Sequence, residues 1–157
     1  MGEMPMHASV TVHMNAPADE IWELISDVRN TGKFSPETFE AEWLDGATGP
    51  AVGAKFRGHV RRNEIGPVYW TTCRVTSCEP GRDFGFEVLL GDRAVNNWRY
   101  QLAPAGGGTD VTESFRMAEG IFTKIFGLLG GQLRKRRNVR DMTTTLNRIK
   151  AVVEAPA

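Results

Sequence analysis

Apolar and polar residues alternate every second position along much of the chain, and the alternation stops and restarts at clusters of Gly, Pro and Asp. Val10, Val12 and Met14 alternate with Ser9, Thr11 and His13, the period of a half-buried strand. The period then changes. In "NAPADEIWELISD", Pro17 suits a first helical position, Asp19 and Glu20 favour the positive end of a helix dipole, and Ile21, Leu24, Ile25 and Val28 form an apolar stripe. These residues predict a short helix, and Asp27 is expected to cap a second one running to Lys33, stopped by Pro36.

Strands are predicted at 39–45, 54–63, 68–78, 82–90 and 94–103, separated by the turn-forming runs DGATGP, EIGP, EPGR and LGDR. After PAGGGT comes a last strand, VTESFRM, at 111–117. Residues 119–154 read as helical. Phe122, Phe126, Leu129 and Leu133 make one apolar stripe, and Met142, Leu146, Ile149 and Val153 make another. Gly127, Gly130 and Gly131 weaken the middle, which predicts a break or kink there and a final helix starting near Gly131. The order strand, two short helices, six strands and long helix is α+β. A sheet of that length tends to curl and needs its apolar side covered, and only the last helix is long enough to cover it.

At 157 residues one domain is expected, 1–157, with an ordered core of about 8–154. Nineteen basic residues balance nineteen acidic ones, so no long-range field draws the chain to nucleic acid or to an anionic membrane. The first residues show no basic segment followed by an apolar one, and no uninterrupted apolar run reaches about 18 residues, which predicts a soluble cytoplasmic protein. Cys73 and Cys78 lie five apart on one predicted strand and so point to opposite faces, as reduced thiols.

Four stretches, "VHMNAPADEIWELISD", "VTSCEPGRDFGFEV", "NNWRYQLAPAGGGTDVTES" and "MTTTLNRIKAVVE", resemble the polyketide cyclase/dehydrase-like branch of the START and Bet v 1-related (SRPBCC) superfamily, and the similarity extends over nearly all of residues 8–154. The resemblance implies a helix-grip fold: a curved seven-stranded antiparallel sheet wrapped around a long C-terminal helix. It also implies a cavity between them for an apolar or amphipathic small molecule. Its members include lipid carriers, hormone receptors and aromatic polyketide cyclases, and no short catalytic signature unites them.

Strand phase then assigns the expected cavity wall. Val111, Glu113, Phe115 and Met117 share one side of the last strand, and neighbouring strands supply Trp98, Tyr100 and Leu102; Phe84, Phe86 and Val88; Tyr69, Thr71, Cys73 and Val75; and Phe56, Gly58 and Val60. Tyr, Thr, Cys, Gly and Glu are unusual company for a close-packed core but ordinary in a pocket. Glu113 is the anomaly among apolar neighbours. Arg136 and Arg137, three and four residues past Leu133, interrupt the helix stripe where another apolar residue is due, so one of them is expected to reach Glu113 across a wet cavity. The competing reading has Glu113 capping a local backbone defect or meeting Arg74 or Arg99 at a sheet margin, with Arg136 and Arg137 in water.

Two functions fit. One is binding or carriage of a hydrophobic small molecule such as a lipid, polyketide or isoprenoid. The other is a cyclase or dehydratase with Glu113 as acid or base, Tyr69 or Tyr100 donating a hydrogen bond and an arginine stabilising an enolate. "GIFTKIFGLLGGQLRKRR" is read as core or lid, with membrane contact at most transient during ligand exchange. His7, His13 and His59 have no metal-ligand spacing, and no GxGxxG or GxxxxGK[ST] run is present, so neither metal nor cofactor is implied. RKRR without interleaved aromatics argues against nucleic acid. Assembly is open between monomer and homodimer.

Overall fold

Every predicted run of alternating residues finds an antiparallel neighbour. The structure, a computed structural model, describes residues 7–61, 67–118 and 127–156, with the side chains of the last helix described from 136 onward. The elements are β1 (His7–Met14), α1 (Ala18–Ser26), a 3-10 helix (Val28–Lys33), β2 (Thr38–Trp43), β3 (Lys55–Arg61), β4 (Val68–Glu79), β5 (Asp83–Leu90), β6 (Arg93–Ala105), β7 (Gly108–Met117) and a C-terminal helix (Gly127–Val153). The sheet order is β1-β7-β6-β5-β4-β3-β2. β2 to β7 form the expected meander, and β1 closes on β7 with Val10 opposite Glu113. Register shifts at Thr38/Glu40, Val75/Ser77 and Val88/Leu89 bend the strands, so the sheet curves into a helix-grip fold.

The short helices follow from their sequences, with one change. Pro17 sits one position earlier than expected, at the N-cap in extended geometry (φ −66°, ψ 145°). Ile21 and Ile25 are buried, and Trp22 Nε1 donates to the Asp83 carbonyl at 2.8 Å, tying α1 to β5. Asp27 caps the second short helix by accepting from the Arg29 N–H, as expected, and that helix is 3-10 rather than α.

The C-terminal helix departs from expectation at its start. It runs as helix from Gly127 through Gly130 and Gly131, with no break at the glycines. A glycine costs a helix about 1 kcal/mol against alanine, too little to end one anchored downstream by tertiary packing. Met142, Leu146 and Ile149 supply that anchorage, each at most 1% exposed. At its far end Glu154 accepts from the Asn15 N–H at 2.8 Å and from Lys150 Nζ at 2.6 Å, which closes the helix against the end of β1. These two partners, the backbone N–H foremost, hold the Glu154 carboxyl below its usual range.

The β6–β7 turn explains the triple glycine. Gly106 (φ +54°) and Gly107 (φ +81°) take the two left-handed positions of a two-residue hairpin whose Ala105 and Gly108 pair. Gly108 is there for space: a Cβ would lie 2.3 Å from the Met14 carbonyl oxygen and 3.2 Å from Asn15 Cα. Both obstacles are backbone. Gly108→Ala is therefore expected to cost about 1–3 kcal/mol of stability, read as a lowered urea midpoint with unchanged m-value.

Candidate functional site

The inward rows predicted from strand phase meet across the sheet. Tyr100 lies opposite both Glu113 and Phe84, Trp98 opposite both Phe115 and Phe86, and Phe56 opposite Cys73. Gly58 lies opposite Thr71, and Val60 opposite Tyr69. The C-terminal helix and the 3-10 helix stand across from these rows. Between them is a cavity of about 160 Å³.

Phe56, Gly58, Tyr69, Thr71 and Cys73 line it on one side, and Phe84, Phe86, Trp98, Tyr100 and Glu113 on the other. Gly58 holds the wall thin, since a Cβ there would lie 3.1 Å from Thr38 Cγ2. Cys73 is an apolar wall atom rather than a nucleophile, because burial pushes its thiol up to about 12. Phe115, expected in the wall, packs behind it: 1% exposed, it joins Ala8, Met117 and Met142 in a second core cluster and meets Trp98 at a ring distance of 4.6 Å. Leu133 has its side chain outside the described residues.

Glu113 is 4% exposed. Tyr100 lies opposite it on β6, and its Oε1 has no hydrogen-bond partner among the described residues. Burial raises the pKa of Glu113 to about 8; the Tyr100 hydrogen bond opposes that rise, and the nearby Asp141 carboxylate adds to it. Tyr100 is pushed well above the ordinary phenol range, first by burial and then by Glu113. At neutral pH the pair is thus a carboxylic acid and a phenol, two neutral groups that each carry a proton.

The expected arginine partner is not there. Arg136 is exposed and Arg137 half-buried, and neither lines the cavity or forms an ion pair with Glu113. At about 100° per residue, Arg136 and Arg137 fall some 120–140° round the helix from Met142, whereas Asn138 is only about 40° away. The cavity face of the helix is accordingly Asn138, Asp141, Met142 and Thr145. The sheet-margin reading fails too: Arg74 pairs with Glu87, and Arg99 with Asp83.

Sequence reasoning missed these helix positions and Asn96. Yet Asn96 shares the phase of Trp98 and Tyr100, and positions 138, 141 and 145 flank the Met142 stripe. Asn138 is 3% exposed, and its Nδ2, like Asn96 Oδ1, has no hydrogen-bond partner among the described residues. Ile25, Val28 and Phe34 of the short helices complete the apolar wall.

The outer face of β3 and β4 stays outside, as strand phase predicts for His59. His59 stacks on Trp70 with ring centroids 4.1 Å apart and its Nδ1 lies 2.7 Å from Glu40, so Trp70 is turned away from the cavity. Among the described residues no group of His, Cys, Asp and Glu is arranged to hold a metal, and no helix is long and apolar enough to cross a membrane. Of the segment read as core or lid, residues 120–126 lie outside the described residues, and side chains are described only for Arg136 and Arg137.

Comparison with known proteins bears on this arrangement. A family model for "polyketide cyclase / dehydrase and lipid transport" matches residues 5–154. Among solved structures, a polyketide-cyclase-like protein from Corynebacterium glutamicum, Cgl2372, is 28% identical with a TM-score of 0.68, over 96% of this chain and 93% of that one. A START superfamily protein from Mycobacterium smegmatis is 17% identical with a TM-score of 0.73, over 94% and 97% of the two chains. The di-domain ARO/CYC protein StfQ of the steffimycin biosynthetic pathway gives a TM-score of 0.74 at 11% identity, over 96% of this chain and 51% of that one. These last two likenesses concern the fold alone. No curated protein gives a significant match.

Proposed function

The chain belongs to the polyketide cyclase / dehydrase and lipid transport family, and from that premise we propose that its cavity binds a small, largely apolar, oxygen-bearing molecule, anchored by Glu113. The observation that carries this reading is the buried Oε1 of Glu113, without a hydrogen-bond partner among the described residues, on the wall of an otherwise mainly apolar cavity. A buried polar atom without a partner is costly, and a ligand oxygen would relieve that cost. With its carboxyl neutral at pH 7, Glu113 donates to a ligand carbonyl or hydroxyl oxygen. An anionic ligand is disfavoured by the neighbouring Asp141.

Volume narrows the class. Drug-sized ligands occupy pockets of about 300–1,000 Å³, and an apolar void of roughly 150 Å³ takes a benzene-sized ring. At about 160 Å³ the cavity suits one or two rings rather than a two-chain lipid. Isothermal calorimetry with 2-naphthol tests the anchor. Wild type is expected to bind, and Glu113→Leu, which removes the donor without burying a charge, to bind about tenfold more weakly. Equal affinities would remove Glu113 from the site, and no binding to wild type would remove the cavity reading itself.

A second reading, an acid-catalysed cyclase or dehydratase, is favoured by one further observation. A carboxyl whose pKa is raised to about 8 beside a tyrosine is matched to proton transfer near neutral pH. Glu113 would protonate the hydroxyl, which leaves as water, and the resulting carboxylate would take the α-proton as the C=C bond forms, restoring the acid, while Tyr100 steadies the same carboxyl. Loss of a β-hydroxyketone dehydration in Glu113→Gln, with 2-naphthol binding retained, would select this reading over carriage.

A further inference from the structure

Two carboxamides on the cavity wall take no part in the Glu113 anchor. Asn138 Nδ2 and Asn96 Oδ1 both lack hydrogen-bond partners among the described residues, and Asn138 is 3% exposed. Their place follows from the register. Asn96 lies four residues before Tyr100 on β6 and pairs with Met117, whereas Tyr100 pairs with Glu113. At about 3.3 Å per residue, Asn96 and the Tyr100–Glu113 pair are roughly 13 Å apart along the strand, with Trp98 on the same face between them.

The C-terminal helix brings Asn138 to the same end as Asn96. Leu146 and Ile149 belong to the core of Met14, Leu102 and Val111, while Met142 belongs to the cluster of Phe115 and Met117. Going back along the helix therefore leads toward Met117 and its partner Asn96. Asn138 lies one further turn back from Met142.

We propose that Asn96 and Asn138 form a second hydrogen-bonding pole, so that the cavity selects a neutral ring system with an oxygen function at each of two opposite ends. The inference rests on the cavity reading above and deepens it by defining the ligand. A carboxamide offers both a carbonyl acceptor and an N–H donor, so the pair suits a hydroxyl or a carbonyl equally. The aromatic band of Trp98 and Phe86 between the poles suits flat rings.

Calorimetry with 2-naphthol and 2,6-dihydroxynaphthalene tests it on the full chain. Wild type is expected to bind the diol about tenfold more tightly than the mono-alcohol. Asn138→Leu, close in shape, is expected to remove the diol's advantage and bring the two ligands within twofold of each other. Asn96→Leu, at a less buried position, gives the same reading if Asn138→Leu fails to fold. Equal binding of the two ligands to wild type, or variants that weaken both alike, would overturn the second pole and leave the Glu113 anchor standing. Failure of wild type to bind either compound would overturn the cavity reading, and this inference with it.

Discussion

Glu113→Gln is expected to be more stable than wild type by about 5 kcal/mol at pH 9 and equal to it at pH 4. The carboxyl has a pKa of about 8 in the folded chain against an ordinary 4.5. Below 4.5 both folded and unfolded chains carry its proton, and folding neither takes up nor releases one. Between 4.5 and about 8 the unfolded chain has lost the proton and the folded chain keeps it, so stability falls by about 1.36 kcal/mol per pH unit as pH rises. Above 8 the charge must be buried, and the loss is complete at about 5 kcal/mol.

Glutamine keeps an acceptor for the Tyr100 hydroxyl and never ionises, so the whole slope disappears. Among the described residues the titratable groups acting on Glu113 are Tyr100 on β6 and Asp141 on the helix, and neither supplies a positive charge that would rescue the ionised form. Asp27 and Glu154, whose carboxyls are held below their usual range, act in the opposite sense and at lower pH: their stabilisation is lost as pH falls through their folded values. They are common to both proteins and cancel in the difference. Urea unfolding from pH 4 to 9 gives that difference directly, and parallel curves for the two proteins would show that Glu113 is not buried as a neutral acid.

The sheet was legible in the sequence because its two signals are local. Alternation fixes which residues face inward, and turn chemistry fixes where strands end, so the rows of Trp98, Phe86 and Phe56 could be assigned before any pairing was known. The observed registers put Trp98 opposite Phe86 and Phe56 opposite Cys73, all on the inward face. Helix propensity is weaker evidence. Three glycines predicted a break or kink and a start near Gly131; packing of Met142, Leu146 and Ile149 overrides the break, and the helix begins at Gly127.

The site was legible only in part, for a related reason. Residues on strands need period two alone, and Tyr100, Glu113 and Thr71 all reached the cavity wall as read. Residues on the helix need an absolute rotation, which depends on where regular helix begins. Extending the upstream stripe by three and four residues led to Arg136 and Arg137, whereas counting back from Met142 leads to Asn138. That choice of origin exchanged an expected ion pair for an uncharged pole. It also altered the chemistry, since Glu113 beside arginine would be a carboxylate and Glu113 beside Tyr100 and Asp141 is an acid.

Leu146→Ala is expected to cost about 3–5 kcal/mol, and Met142→Ala about 2 kcal/mol, although the two side chains are almost equally buried at 0% and 1% exposure. The difference lies in what surrounds them. Leu146 belongs to the main core with Ile149, Val111 and Met14, and does not line the cavity, so its removal opens a new void among packed atoms. Met142 already borders the cavity on one side and therefore gives up fewer contacts. Deleting it extends space that exists rather than creating more. Denaturant unfolding of the two variants measures the order, and a Met142→Ala loss equal to or greater than that of Leu146→Ala would mean that the space between helix and sheet is filled. The same enlargement has a functional consequence: Met142→Ala should admit a three-ring alcohol such as 2-hydroxyanthracene that wild type excludes, while Leu146→Ala, whose void lies beyond the wall, should not.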